Sequence, residues 1–374
     1  MSGVYIHIPF CASRCIYCDF YSTTIRGKAH EYVDALLKEY EERSDFLPSK
    51  EPLQTIYIGG GTPSQLPISE LKRLIDFFNN YDIEEFTIEA NPEDICEEWA
   101  KSVGQYSNIR ISIGVQSLND NELRIINRRH NSKKPIEAVK LLRDAGINNI
   151  SLDLMYGLPT QTLETWEESI NGIIALNPEH ISAYCLSVEE ESPLGKLVED
   201  GKLTPADEEL CLEMAELLRK KLKEAGYTQY EISNYSKPGF ESKHNSSYWD
   251  GTPYIGLGPG AHSYDGKYQR RWNLGDLNSY LNGERKENGE TLTDKDIFNE
   301  TIMLGLRTNK GVSASLFENT DNYYNNKDYN KKAYYKKTIN KLISRGLITK
   351  KGNNLILTES GLALADEIMR ELFI

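Results

Sequence analysis

The chain has 374 residues, enough for a large domain and a smaller one, and its 43 Lys and Arg against 56 Asp and Glu give a net charge of −13. That acidic balance argues against a protein whose main task is wrapping nucleic acid, and no segment offers the unbroken apolar run of a membrane span. Aromatic and charged fractions of 10% and 26% are those of an ordinary globular protein.

The start, Met1 to Ile8, lacks the basic residues and long apolar stretch of an export signal and reads as a short strand, which predicts a cytoplasmic location. Further strands are predicted at Thr55 to Gly59, Glu85 to Ala90, Ile109 to Val115, Ile150 to Met155 and His180 to Leu186. The third to sixth are rich in Ile and Val with little polar alternation, as expected of parallel strands covered on both faces. Helix-spaced apolar residues lie between them, among them Tyr32, Val33, Leu36, Leu37 and Tyr40, then Leu71, Leu74, Ile75 and Phe78. Six strand-helix units predict an α/β protein built on a partial parallel (β/α)6 TIM-like barrel across residues 1–235.

Such a barrel places its chemistry on the loops after the carboxyl ends of its strands. The unusual residues fall there: Cys11, Cys15 and Cys18 after the first strand, Gly59-Gly60-Gly61-Thr62-Pro63 after the second, Glu89-Ala90-Asn91-Pro92 at the third, Gln116-Ser117 after the fourth, and Asp153 leading into Tyr156-Gly157-Leu158-Pro159 at the fifth. Beyond Thr204 the pattern changes to a long helix around Glu208 to Lys223 and a Tyr-rich strand at Tyr227 to Tyr235. A loop-rich connecting section is predicted at 236–290. Residues 291–374 read as a C-terminal α+β, winged-helix-like domain: a helix at Thr338 to Ser344, a turn at Gly352-Asn353-Asn354, the strand Leu355 to Leu357 and a last helix after Gly361. The stretch Asn319 to Lys337 is biased toward Asn, Tyr and Lys.

Six cysteines, three of them within eight residues, do not form a disulfide scaffold pattern, and metal binding is the alternative in a reducing compartment. Cys96, Cys185 and Cys211 are scattered and read as buried small apolar residues. Three close thiolates can wrap a [4Fe–4S] cube and leave one iron open. A zinc site of three cysteines with His7 is the competing reading of the same spacing, although zinc sites more often pair two Cys-x-x-Cys knuckles. The glycine run is not a phosphate loop, because no Gly-Lys-Ser/Thr follows, and Gly256-Leu257-Gly258-Pro259-Gly260 puts a proline where a dinucleotide-binding helix would open.

Cys11-x3-Cys15-x2-Cys18, with Tyr17 before the last cysteine and the glycine run on the next loop, resembles the radical S-adenosylmethionine enzymes. Tyr5-x-His7-Ile8-Pro9-Phe10-Cys11, Gly114-Val115-Gln116-Ser117, Asn127-Arg128 and Asp153-x-x-Tyr156-Gly157-Leu158-Pro159 narrow the resemblance to the branch that holds oxygen-independent coproporphyrinogen III dehydrogenases and haem chaperones. It implies a [4Fe–4S] cluster on the three cysteines and S-adenosylmethionine contacts from Tyr5, Tyr17, Gly60, Gly61, Thr62, Glu89, Gln116, Arg128 and Asp153. Glycines let backbone amides approach the methionine group, Glu89 suits its ammonium, Arg128 its carboxylate, and Asp153 the ribose hydroxyls.

Between the two relatives, the dehydrogenase carries a further cysteine where this chain has Phe20, and a segment before Tyr5 that reaches over its porphyrinogen site. His244-Asn245-Ser246-Ser247-Tyr248-Trp249 matches the His-Asn-x-x-Tyr-Trp motif of the chaperones, which makes His244 the candidate haem ligand; His7 and His262 are expected to be structural. The function implied is to bind haem and transfer it to an apo-haemoprotein, with S-adenosylmethionine cleavage within reach of the fold and coproporphyrinogen III oxidation as the alternative. The expected partners are haem, an apo-haemoprotein and a second copy of the chain in a homodimer. The density of Lys and Arg from Lys327 to Lys351 points to a membrane-surface or protein contact in preference to nucleic acid.

Overall fold

The structure is a computed structural model that describes residues 2–25, 27–48, 52–318 and 331–374, with Lys331 described by its backbone alone. Strands β1 (Ser2–Ile8), β2 (Leu53–Gly60), β3 (Glu85–Ala90), β4 (Ile109–Gln116), β5 (Ile150–Tyr156) and β6 (His180–Cys185) lie side by side in chain order, every pair parallel. The crossovers carry the helices Ala29–Arg43, Ile68–Phe78, Glu97–Gly104, Lys134–Asp144 and Leu163–Ala175. This is the partial (β/α)6 barrel expected of the sequence. The helix Ile68–Phe78 shows why such a segment folds onto the sheet: Leu71, Leu74, Ile75 and Phe78, at helix spacing, are all buried, each contributing about 1.5–3 kcal/mol of transfer free energy.

The strands differ from expectation in one respect. They alternate strictly. Val4, Ile6, Ile8, Ile56, Ile58, Ile88, Ile111, Ile113, Leu152 and Leu154 are fully buried in the main core, whereas Tyr5, Tyr57, Glu89 and Tyr184, on the other face, line a cavity. The run Ile109-Arg110-Ile111-Ser112-Ile113-Gly114 carries this period of two in plain view, with Arg110 and Ser112 on the inner face. A barrel that is to hold polar ligands needs a polar inner wall, and the alternation supplies it.

The section at 236–290, expected as a loop-rich connector, instead extends the sheet. Strands β7 (Thr228–Gln229) and β8 (Asn234–Ser236) close the β6 edge in antiparallel fashion. Strand β9 (Tyr254–Leu257) runs parallel to β1, and β10 (His262–Tyr264), β11 (Gln269–Asn273) and β12 (Glu287–Thr291) continue from it as an antiparallel ladder, giving a 12-stranded sheet. Strands of three to five residues, interrupted by glycine turns, leave little periodicity to read. The extension is locked to the barrel by the buried Glu39 of the first helix, which accepts hydrogen bonds from the Tyr280 hydroxyl (2.6 Å), Asn273 Nδ2 (2.8 Å) and the Gly258 amide (2.9 Å) while paired with Arg43. Arg43 in turn donates to the Gly256 carbonyl (3.0 Å) and Ser263 Oγ (3.2 Å).

The C-terminal domain has its own core, built from Phe298, Ile302, Leu342, Leu355, Ile368 and Leu372 among others. Its helices Asp294–Leu306, Lys331–Ser344 and Ala365–Leu372 pack with a small sheet in the order β13 (Val312–Ser313), β15 (Asn354–Leu357), β14 (Ile348–Lys351), a winged-helix-like arrangement. The helix predicted at Thr338 starts at Lys331; residues 319–330 of the Asn-, Tyr- and Lys-rich stretch lie outside the described residues. Arg270 ties this domain to the extended sheet through a bidentate pair with Glu300, 2.7 Å at each oxygen.

Candidate functional site

The five loops predicted to converge do so. The cysteine loop folds back on itself through Cys11 N–H to the Thr23 carbonyl (2.9 Å) and Thr23 N–H to the Pro9 carbonyl (2.7 Å), leaving three free, partly buried thiols. The next loop lies directly against it: Gly61 N–H donates to the Ile8 carbonyl (2.7 Å), and a Cβ at Gly61 would meet that oxygen at 2.8 Å and Cys11 Sγ at 3.0 Å. Only glycine permits this approach. Thr62 Oγ1 donates to Cys11 Sγ (3.5 Å) and Arg128 Nη1 to Cys15 Sγ (3.4 Å). Burial pushes the thiols of Cys11 and Cys18 above their ordinary pKa. The zinc alternative loses its fourth ligand, because His7 shares one ring nitrogen with the Tyr5 hydroxyl (3.1 Å) and the other with the Tyr21 carbonyl (2.8 Å).

Glu89 stands at the carboxyl end of β3. Its oxygens accept from the Tyr57 hydroxyl (2.7 Å) and the Gly60 amide (3.1 Å), and Gly60 reaches that position at φ +106. Burial raises the carboxyl to about 7, against the lowering effect of the Tyr57 bond. Farther along the rim, Asp153 accepts from Ser112 Oγ (3.1 Å) and Ser151 Oγ (3.4 Å) and is raised by burial. Gln116 ends β4 at a bulge with φ +67, a conformation rare outside glycine and Asn. Arg128 also donates from Nη2 to Asn91 Oδ1 (2.7 Å) and the Gly114 carbonyl (2.6 Å), while its buried Nε has no partner among the described residues. Tyr17 packs beside Ile126, Met155 and Leu158. Of the predicted contacts, then, Tyr5, Gly60 and Glu89 line the cavity, Gly61, Thr62 and Arg128 lie against the thiols, and Tyr17, Gln116 and Asp153 are not among the residues that line the cavity.

One residue that sequence reasoning missed organises this rim. Buried Glu122 accepts from Ser117 Oγ (2.6 Å), Thr165 Oγ1 (2.6 Å) and Gln161 Nε2 (3.1 Å), joining the loops after β4 and β5. Its signal was a carboxylate in the first turn of a helix capped by Asn119. The scattered cysteines differ from expectation: Cys96 and Cys185 are exposed and Cys211 is half-buried, with the sulfurs of Cys185 and Cys211 both close to Gly157.

A cavity of about 1470 Å³ opens beside the cysteine loop. Tyr5, Tyr57 and Glu89 line it from the barrel, Trp249 and Trp272 from the section beyond, and Leu304 from the C-terminal domain. Phe20, two residues after the last cysteine, lines it too and is 64% exposed.

His244 is not among the residues that line this cavity. The helix Lys243–Trp249 plugs the amino end of the barrel, its first amides capped by buried Glu85, which accepts from Lys243 N–H (2.9 Å) and His244 N–H (3.0 Å). The His244 ring is 0% exposed, its Nδ1 bonded to Thr55 Oγ1 (2.9 Å) and its Nε2 to the Tyr248 hydroxyl (2.9 Å). Burial pushes it down to about 3, so it is neutral with both nitrogens engaged. An iron could reach it only by dismantling the floor. The rest of the motif behaves otherwise, since Asn245, Ser246, Tyr248 and Trp249 all line the cavity.

Residues 5–173 match the family model described as Radical SAM superfamily, and residues 292–364 that of the HemN C-terminal domain. The chain is 37% identical to "Heme chaperone HemW" of Bacillus subtilis, over 98% of each chain. It is 34% identical to "Heme chaperone HemW" of Lactococcus lactis, over 99% of this chain and 97% of the other. Its fold matches that of the Escherichia coli coproporphyrinogen III oxidase HemN, a radical SAM enzyme, with a TM-score of 0.81 at 22% identity, over 100% of this chain and 90% of that one.

Proposed function

The chain belongs to the HemW family of the radical SAM superfamily, and on that premise we propose that it binds haem and transfers it to an apo-haemoprotein, carrying a [4Fe–4S] cluster and S-adenosylmethionine at the barrel mouth. The observation that carries the reading is the full-length similarity to haem chaperones of a chain with a cavity of about 1470 Å³ walled by aromatic rings beside the cysteine loop.

The residues present fit these cofactors. Three free thiols on one loop, two of them raised by burial, need an electropositive group to stabilise them as thiolates, and Thr62 and Arg128 already direct donors at sulfur. Glu89, a largely desolvated carboxyl with a raised pKa, has no ion-pair partner among the described residues and suits the ammonium of a bound amino acid. Cys11, Cys15 and Cys18 would hold the cluster. Tyr5, Tyr17, Gly60, Gly61, Thr62, Glu89, Gln116, Arg128 and Asp153 are the proposed S-adenosylmethionine contacts. When bound, the cluster supplies an electron and an open iron site for the methionine group.

The chain's own groups then have distinct tasks. Gly60 and Gly61 bring backbone close to the methionine group, Glu89 holds its ammonium, and Asp153, fixed by Ser112 and Ser151, accepts ribose hydroxyls. The cavity between barrel and C-terminal domain receives the porphyrin, with Phe20 and Trp249 offering apolar faces. The same reading includes a cytoplasmic location, a homodimer, and a membrane-surface contact through the lysines of the C-terminal domain. Among the described residues no helix is long and apolar enough to cross a membrane. Co-sedimentation with anionic vesicles and light scattering test the last two.

The runner-up is oxidation of coproporphyrinogen III, favoured by the HemN-like fold. Anaerobic incubation of reconstituted protein with reductant, S-adenosylmethionine and coproporphyrinogen III separates the two. The chaperone reading expects no protoporphyrinogen IX; its formation in step with 5′-deoxyadenosine would replace this reading with the other.

A further inference from the structure

Six histidines occur in the chain, and all lie among the described residues. In five of them both ring nitrogens face a hydrogen-bond or charged partner. His7 is held by Tyr5 and Tyr21, His30 by Glu70 and Asp34, His130 by the Val115 carbonyl and Glu93, His180 by Ser151 and Tyr230, and His244 by Thr55 and Tyr248. His262 is the exception: among the described residues neither of its ring nitrogens has such a partner, and the ring is exposed toward the large cavity.

The sheet extension explains how it is presented. His262 on β10 pairs with Trp272 on β11, and the two rings stack with centroids 5.5 Å apart and planes 14° from parallel. Tyr264 and Arg270, the next cross-strand pair on that face, also line the cavity, with the guanidinium 5.5 Å from the Tyr264 ring centre and anchored to Glu300. The alternate residues of the same strands point the other way, Ser263 to buried Arg43 and Arg271 to Phe46. A flat indole stacked on the imidazole restricts its rotation, and neither ring nitrogen has a competing partner among the described residues. Burial and the nearby Arg270 lower its pKa, which keeps it neutral and able to donate a lone pair at neutral pH.

A single imidazole cannot hold a bare transition-metal ion, and among the described residues no three His, Cys, Asp or Glu side chains converge on one. It suits a metal that arrives with its equatorial donors already in place. A haem iron has four porphyrin nitrogens and needs only an axial ligand. The cavity, at about 1470 Å³, exceeds the roughly 300–1,000 Å³ typical of small-molecule sites.

We infer that His262 is the axial ligand of the haem iron, stacked on Trp272, and that His244 serves the same site from below by fixing the helix that carries Tyr248 and Trp249. The inference rests on the haem-carrying reading above and names its ligand.

Anaerobic titration of the purified, cluster-reconstituted protein with haemin, followed by absorbance and by electron paramagnetic resonance, is the test. The wild-type protein is expected to give the spectrum of a nitrogen-ligated haem. His262→Ala is expected to lose that signature and at least about tenfold in affinity, with both restored by free imidazole. His262→Cys is expected to convert the spectrum to a thiolate type. Circular dichroism and iron content, unchanged in both variants, separate loss of a ligand from loss of the fold. Unaltered spectrum and affinity in His262→Ala would overturn the assignment while leaving haem carriage intact, as would a wild-type haem with no nitrogen ligand. Failure of the wild-type protein to bind haemin would overturn the haem-carrying reading itself, and this assignment with it.

Discussion

The floor and the mouth of the barrel are built from the same residue types and treat them in opposite ways. At the floor, Glu85 caps a helix, His244 is bonded at both nitrogens, and Arg110 reaches Asn149 Oδ1 (3.2 Å) and the Phe240 carbonyl (3.4 Å). At the mouth, among the described residues, Glu89 carries a raised pKa without a cation and Arg128 Nε is unpartnered, and His262 lines the open cavity. Buried polar groups are normally satisfied, so charged groups left without a counter-charge beside a cavity suit a bound ligand. Residue type alone does not distinguish a structural histidine from a binding one. Its partners do.

The largest break in this contrast is His244→Ala. Removing a fully buried ring with two hydrogen bonds should destabilise the protein by about 3 kcal/mol, seen as a lower urea midpoint, while haem bound by the folded fraction keeps its spectrum. A changed spectrum with unchanged stability would reverse the roles assigned to floor and mouth.

Glu89→Gln should show the opposite character. Because burial raises this carboxyl from 4.5 to about 7, the folded protein keeps the proton longer than the unfolded chain does. Its stabilising effect is complete below about pH 4.5 and lost as pH rises through about 7. Glutamine removes that loss, so the apo-variant should be more stable than wild type at pH 8 by about 3 kcal/mol and similar at pH 4, while S-adenosylmethionine binding weakens. Glu231, raised by burial to about 7 as well, preserves part of the slope. Equal urea midpoints for variant and wild type at pH 8 would count against a strained, waiting carboxylate.

Thr55→Val probes the floor more gently. It deletes one partner of His244 with little change of shape and should cost about 1–2 kcal/mol. The smallest effect is expected at the rim: His262→Ala should alter stability by no more than about 0.5 kcal/mol, since the side chain is exposed and unbonded. A loss as large as that of His244→Ala would make His262 a structural residue.

Much of the mouth was legible because its signals are local. The three cysteines fall within eight residues, the glycines are contiguous, and Glu89 and Asp153 stand at strand ends, where a barrel puts its chemistry. What could not be read is non-local. His244 is tied to Thr55, 189 residues away, and the motif that made it conspicuous gives no hint of that partner. The ladder β9 to β12 hides in short strands, although Asp265-Gly266 between His262-Ser263-Tyr264 and Arg270-Arg271-Trp272 is a hairpin signal flanked by alternating residues, and would have put His262 and Trp272 on one face. The inner-face alternation of β3 and β4 is legible in the sequence too, beneath the Ile content of its other face.

The central claim, that this chain carries haem in order to give it away, is most directly tested by mixing haem-loaded protein with increasing concentrations of apo-cytochrome b562 and following the Soret change by stopped flow. Direct transfer predicts a rate that rises with acceptor concentration and exceeds the rate from haem-loaded serum albumin. A rate independent of acceptor concentration would mean that haem simply dissociates, and would contradict the account.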